Sequence, residues 1–186
     1  MDERMAPELL RWNEELIGRL MQNLEAQTEA ASVLLSSGAT SKPDEHERLL
    51  LVQMEIERVR WLLRSYLRTR TFKIEKQAQY LLKTPLARNK MSDVEQGYAE
   101  RYHALVIKHF QNSVTGNIPE RLGRLDEDEM VVRPELDQAV FARARRDCPP
   151  ITLPDMQLLE MKKGEIHLVR YRSVRALVRD GYVRLV

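Results

Sequence analysis

A long uninterrupted helical pattern between Pro43 and Pro85 constrains this chain more than any other feature of its sequence. Neither proline nor glycine occurs between these two residues. The apolar side chains in between repeat at alternating steps of three and four, as one face of an α-helix requires. They are Leu49, Val52, Ile56, Val59, Leu63 and Tyr66. The pattern predicts one helix of about 40 residues, which is about 60 Å long.

Two further helical patterns flank this one. The first covers residues 7–35 and ends before Gly38, a residue that suits the position after a helix end. The other begins at Ser92, where Ser92 and Glu95 have the spacing of a capping box. Three amphipathic helices in about 110 residues predict a helical bundle.

The last third of the chain changes character. Turn residues at 112–117 and an acidic run at 126–129 indicate a linker. Beyond it the sequence predicts extended segments at 139–144, 158–161, 166–171 and 182–186, and one short helix at 174–179 that Ser173 caps. The predicted fold is mainly α, with a helical domain at 1–112, a linker at 113–131 and a small β-rich domain at 132–186. A unit of about 55 residues is marginal alone, so we expect it to pack on another surface.

Composition excludes several classes of protein. The 30 basic residues nearly balance the 28 acidic ones, whereas general nucleic-acid binding usually needs a clear basic excess. Cys148 is the single cysteine and cannot form an internal disulfide, which favours a reducing compartment. No apolar run approaches the roughly 20 residues of a membrane span, and the N-terminus does not resemble a signal peptide. We therefore expect no membrane association.

The sequence offers no recognisable catalytic or metal site. Its four histidines form no zinc-binding pair, and its seven glycines are too scattered to cradle a phosphate. A nucleophile elbow is also missing. We therefore expect no catalytic residues, no cofactor and no metal, and a protein that is not an enzyme.

Cations along the long helix leave two interpretations open. They are Arg58, Arg60, Arg64, Arg68, Arg70, Lys73 and Lys76. One interpretation is a helical adaptor that binds nucleic acid through this arginine-rich face. The other is a solvated face with internal ion pairs such as Glu57 with Arg60. Arg70 falls close to the apolar seam, which predicts a buried polar contact for it.

Three stretches together resemble a known family. They are 53–76, with Gln-Met-Glu-Ile-Glu-Arg and Ser-Tyr-Leu-Arg-Thr-Arg; 132–143, with Val-Arg-Pro-Glu-Leu-Asp; and 163–186, with Lys-Gly-Glu-Ile-His-Leu-Val-Arg-Tyr. Met5-Ala6-Pro7-Glu8-Leu9-Leu10 fits as well. In order and spacing they are similar to the Sld-five family of GINS complex subunits.

This resemblance implies a non-catalytic structural subunit in a four-chain nuclear assembly. The GINS complex joins the MCM ring and the Cdc forty-five protein in the eukaryotic replicative helicase. The family pairs most closely with Psf-one and also contacts Psf-two and Psf-three. Direct DNA binding stays open.

Eight residues are predicted to bind these partners. Four lie on the long helix, namely Val59, Leu63, Tyr66 and Arg70; an internal bundle core is an equally good interpretation for them. Four lie in the C-terminal domain, namely Arg170, Tyr171, Leu177 and Leu185. For the two leucines a small-domain core is the favoured alternative.

Overall fold

A computed structural model describes residues 2–36, 43–119, 130–153 and 156–186. Its helices are α1 (Asp2–Met5), α2 (Glu14–Ser36), α3 (Pro43–Lys83), α4 (Pro85–Arg88), α5 (Asp93–Ser113) and α6 (Tyr171–Arg179). Its strands are β1 (Ala139–Ala144), β2 (Ile151–Thr152), β3 (Leu158–Leu159), β4 (Ile166–Arg170) and β5 (Val183–Leu185). The predicted fold class, a helical bundle followed by a small β-containing domain, is confirmed.

The long helix is present as predicted. It is α3, 41 residues long, and only Gln77 departs from helical geometry, with φ −119° and ψ 19°. The Gln77 side-chain amide donates to the carbonyl of Pro7 at 3.3 Å.

The first helix is shorter than the pattern predicted, because it begins at Glu14 and not near residue 7. Asn13 explains the start. Its side-chain oxygen accepts from the N–H of Leu16 at 3.0 Å, and its carbonyl accepts from Ile17 at 3.1 Å. Asn is among the preferred N-cap residues.

The chain divides into two compact units. One comprises Trp12–Arg68, in which α2 and the first part of α3 pack through Leu24, Ala31, Leu49 and Ile56. The other comprises Met1–Arg11 with Thr69–Val186. The predicted division into domains at 112 and 132 stays a prediction.

The second unit has two apolar cores. One joins the end of α3 to α5 through Leu9, Ile74, Leu81, Ala87, Met91 and Ala99. The capping box predicted at the start of α5 is confirmed, with Ser92 and Glu95 each accepting from the other's backbone N–H. The other core lies between the C-terminal sheet and α6, and it includes Ala6 from the N-terminus.

The C-terminal domain contains a three-stranded antiparallel sheet in the order β4-β1-β5 and a two-stranded sheet of β2 and β3. Three of the predicted extended segments match β1, β4 and β5, and the segment at 158–161 matches β3. The pattern did not predict β2, which has only two residues. The acidic run at 126–129 lies outside the described residues.

The short C-terminal helix begins at Tyr171, so the prediction that Ser173 caps it is wrong. No side chain caps this end. The N–H groups of Tyr171 and Arg172 donate instead to the carbonyls of Gln138 and Leu136, each at 2.9 Å. Because the segment before β1 satisfies these two first-turn donors, they need no capping side chain. Within the described ranges, no helix is both long and apolar enough for a bilayer.

Candidate protein-interaction surface

Residues 2–11 form a segment, here called the N-terminal strap, that supplies the partners of a buried cation. The Arg70 guanidinium is fully buried. It donates to both carboxylate oxygens of Glu95, at 2.6 and 2.8 Å, and to Glu3 Oε2 at 3.0 Å. It also donates to the carbonyls of Leu10 and Lys90, at 2.9 and 3.1 Å. These bonds satisfy a charge that burial would otherwise make costly.

Lys73 reinforces the same attachment one turn further along α3. Its ammonium group donates to the carboxylate of Glu3 at 2.8 Å, to the carbonyl of Glu8 at 2.9 Å, and to the carbonyl of Glu3. Burial lowers the pKa of Lys73, although the neighbouring Glu3 opposes this effect. The N-terminal strap is therefore held to α3 by two cations.

Glu8 connects the N-terminal strap to the C-terminal domain. Its carboxylate, nearly inaccessible, accepts from the Tyr171 hydroxyl at 2.9 Å and from Arg175 at 2.7 and 2.6 Å. Lys90 lies at 2.6 Å from the same group. Burial raises the pKa of Glu8, but the bonds from Arg175, Lys90 and Tyr171 outweigh it and leave that pKa below its ordinary value.

The pKa of Tyr171 shifts in the opposite direction to that of Glu8. Burial, followed by the charge and hydrogen bond of Glu8, raises the pKa of Tyr171 far above its ordinary value. The hydroxyl therefore remains a donor to Glu8 throughout the physiological pH range.

The N–H of Leu185 also contacts the N-terminal strap, because it donates to the Asp2 carboxylate at 2.9 Å. Three of the eight predicted residues, Arg70, Tyr171 and Leu185, thus contact the N-terminal strap.

Four of the predicted partner-binding residues lie in the interior of this chain. They are Arg70, Tyr171, Leu177 and Leu185, all at most 5% exposed. Burial within the chain favours an internal structural role for these side chains, and partner binding by them stays a prediction. The predicted buried polar contact of Arg70 is confirmed. Arg170 is exposed and directly precedes α6.

The other three predicted residues are half-buried within the unit 12–68. Val59 lines an apolar groove between α2 and α3, together with Leu20, Leu24, Val52 and Ile56. The Tyr66 ring stacks on Trp12, with ring centroids 5.9 Å apart. Leu63 has intermediate burial. Partner binding by these three residues stays a prediction.

A second apolar stripe on α3 was missed by the sequence analysis. Leu51, Met54, Trp61 and Leu62, here called the outer stripe, lie on the opposite side of the helix from Ile56 and Leu63. Met54 and Trp61 are 69% and 62% exposed. The signal was present as steps of three and seven from Leu51 to Met54 and Trp61. A helix with two apolar sides indicates burial against more than one neighbour.

Internal ion pairs occupy most of the arginine-rich face. Arg58 binds Glu55 at 2.9 Å, and Arg60 and Arg64 lie at 2.6 and 3.6 Å from Glu57. The predicted pair of Glu57 with Arg60 is confirmed. Together with the buried Arg70 and Lys73, five of the seven cations have carboxylate partners within the chain. In the part of the chain that the structure describes, no group of three or more His, Cys, Asp or Glu side chains could hold a metal.

These features define a helical-bundle protein with a small antiparallel C-terminal domain and an unpaired apolar helix face. Comparison with known proteins gives the family. Residues 19–114 match the model described as the GINS complex protein helical bundle domain, and residues 134–186 match the DNA replication complex GINS protein SLD5 C-terminus. The chain belongs to the SLD5 family of GINS proteins, the one that the sequence resembled.

Relatives from distant eukaryotes match the whole chain. The DNA replication complex GINS protein sld5 of Schizosaccharomyces pombe is 33% identical, over 100% of this chain and 87% of its own length. GINS protein SLD5 of Homo sapiens is 31% identical, over 100% and 85%, and that of Arabidopsis thaliana is 28% identical, over 100% and 86%.

Proposed function

We infer that this chain is a non-catalytic structural subunit of a GINS complex in DNA replication. The family membership supports the assignment, because the relatives are named as GINS proteins of the DNA replication complex. The observation in the chain itself that carries the proposal is the outer stripe of α3, whose large apolar side chains lie in solvent. A stripe of this kind on a helix suits burial against the helix of another subunit.

The proposed partners are the three other GINS subunits. Psf-one is the closest, and Psf-two and Psf-three complete the four-chain particle. The particle then joins the MCM ring and Cdc forty-five in the replicative helicase, in the nucleus. Fully burying one side chain such as Leu51 or Met54 stabilises an association by about 1.5–3 kcal/mol, so a few of them supply most of the binding energy.

The outer stripe gives a direct test of this role. In the double variant Leu51→Asp with Trp61→Asp, two charges would enter the proposed interface without partners. We expect the recombinant four-chain particle to lose this subunit in size-exclusion chromatography. The free variant should keep its helical circular dichroism, because both side chains are exposed in the isolated chain.

Leu86→Asp is the matched control. Leu86 is a leucine on α4 that is more exposed than either stripe residue and lies outside the outer stripe. This variant should assemble normally. If the double variant assembles normally, the outer stripe is not part of the interface. If the Leu86→Asp variant also fails to assemble, the assay responds to any added surface charge.

The alternative function, a nucleic-acid-binding adaptor, is less well supported. Five of the seven cations on its proposed face are paired with carboxylates of the chain itself, which leaves few to neutralise phosphates. Phosphate contacts make binding fall steeply with salt, by about one logarithmic unit of slope per contact. Tight, salt-sensitive binding of forked DNA to the isolated chain would restore this alternative.

A further inference from the structure

The outer face of the C-terminal sheet is apolar at its centre and basic at its margins. In β1 the residues alternate between exposed and buried, with Val140, Ala142 and Ala144 in the core against α6. Ala139, Phe141 and Arg143 therefore lie on the opposite face. Residues directly opposite them on β4 and β5 share that face.

The register places three apolar side chains side by side. Phe141 on the central strand lies opposite Leu168 of β4. On its other side is Val186, whose N–H donates to the carbonyl of Phe141 at 3.0 Å. Phe141, Leu168 and Val186 are 55%, 61% and 47% exposed. Three such neighbours form a contiguous apolar row, unlike the scattered single side chains that are normal on surfaces.

Arginines border this row at both ends. Arg170 lies opposite Ala139, at one end. At the other end Arg143 stands between Ile166 of β4 and Arg184 of β5. Like charges directly opposite each other on antiparallel strands are destabilising. Across the described ranges, none of these three arginines has a carboxylate partner.

We propose that this face, here called the outer sheet face, binds an acidic amphipathic segment of a partner protein. Carboxylates of the segment lie over Arg143 and Arg184 and relieve their mutual repulsion, while its apolar side chains cover Phe141 and Leu168. The C-terminal domain as a whole also carries a positive charge that complements an acidic segment. Residues 133–186 hold 11 Lys and Arg against 7 Asp and Glu, a net charge of +4. This surface is separate from the outer stripe of α3 and goes beyond assembly through that helix.

The side chains favour a protein segment over a single-stranded nucleic acid. Binding of unpaired bases uses several aromatic side chains as stacking platforms. On the outer sheet face Phe141 is the one aromatic residue of the row, and its neighbours Leu168, Ile166 and Val186 are aliphatic. Aliphatic side chains pack well against apolar side chains of a peptide and offer no stacking surface.

In-cell photo-crosslinking identifies the occupant. The full chain carries the photo-crosslinking amino acid benzoylphenylalanine in place of Leu168, and crosslinked peptides are identified by mass spectrometry. We expect one segment of another protein, in which Asp or Glu residues alternate with apolar ones. Benzoylphenylalanine at Ala176, an exposed position on α6, is the control and should not capture this segment.

A synthetic peptide of the captured segment then tests the arginines. Its Kd for the full chain should weaken at least tenfold in the double variant Arg143→Glu with Arg184→Glu, whereas Arg179→Glu, with an 80% exposed side chain on α6, should change it less than twofold. The single variant Arg184→Ala relieves the like-charge pair, so its melting temperature should stay equal or rise while the peptide binds more weakly.

Several results would overturn the proposal. They are crosslinks that stay within this chain, crosslinks to nucleic acid, a captured segment without carboxylates, or a Kd that changes less than threefold in both arginine variants. If the double charge-reversal variant does not fold, the Arg184→Ala result decides between these outcomes.

Discussion

Arg70 contributes five hydrogen bonds to three separate parts of the chain, namely the N-terminal strap, the residues before α5, and α5 itself. A guanidinium stays charged at any accessible pH, so it must keep these partners in the interior. Removing it leaves the half-buried Glu95 without its counter-charge and leaves the buried Glu3 with Lys73 alone.

The Arg70→Ala variant should therefore lose about 3–5 kcal/mol of unfolding free energy, the cost of breaking a buried ion pair. Urea unfolding at pH 7 measures this loss. Arg68→Ala is the matched control, since Arg68 is exposed on the same helix, and it should stay within about 0.5 kcal/mol. A loss below 1 kcal/mol for Arg70→Ala would contradict the structural role.

Glu8 makes the free energy of unfolding depend on pH. Its pKa is lowered in the folded chain from an ordinary value of 4.5. The ionised carboxylate therefore stabilises the fold, and this contribution is complete when the pH is above the ordinary pKa. It is lost as the pH falls through the lower pKa of the folded state. The variant Glu8→Gln should be less stable than the parent at pH 7, and this difference should shrink as the pH falls below about 4.5. Urea unfolding at a series of pH values measures the difference; one that is independent of pH would exclude the carboxylate as its source.

The sequence predicted the buried contact of Arg70 but not its partners in the N-terminal strap. The position of Arg70 beside the apolar seam was enough to predict a buried polar contact. Glu3 and Glu8 were not identified, because Glu3 lies 67 residues from Arg70 in the chain and Glu8 lies 163 residues from Tyr171. No local pattern relates residues at such separations.

The bounds of a helix were predicted correctly where a local sequence pattern marks them. The extent of α3 followed from an unbroken three-four pattern between two prolines, and the start of α5 followed from its capping box. The start of α2 was placed too early because apolar residues of the N-terminal strap continue the pattern. The start of α6 depends on carbonyls more than 30 residues away, so its capping could not be read locally.

The capping box gives a prediction at this scale. Ser92→Ala should destabilise the chain by about 1 kcal/mol, since the N–H of Glu95 loses its acceptor and the box loses one of its two bonds. Thermal unfolding followed by circular dichroism measures the change. Ser32→Ala, in which the lost hydroxyl donates only to the carbonyl of Glu29 within α2, should leave stability nearly unchanged. Equal effects of the two substitutions would argue against a special role for the cap.

For the whole molecule, the N-terminal strap accounts for how a small C-terminal domain is stabilised. The sequence predicted that about 55 residues would pack on another surface. Within the unit that contains both, Ala6 enters the core beside α6 and Glu8 binds Tyr171 and Arg175. The domain therefore packs partly on the start of its own chain.

This attachment predicts the outcome of a cut in the chain. A specific protease site inserted between residues 119 and 130 would separate the N-terminal strap from the C-terminal domain covalently. We expect both fragments to elute together in size-exclusion chromatography at pH 7, because the contacts of Glu8 and Ala6 remain. In the Glu8→Ala variant the fragments should separate more readily. Independent elution of the unsubstituted fragments would contradict the attachment.

Co-expression with Psf-one, Psf-two and Psf-three, followed by size-exclusion chromatography with light scattering, tests whether this chain is a structural GINS subunit. We expect one stable particle that contains the four chains in equal amounts, with this 21.8 kDa chain present once. A well-behaved monomer of 21.8 kDa that elutes apart from those three subunits would contradict it.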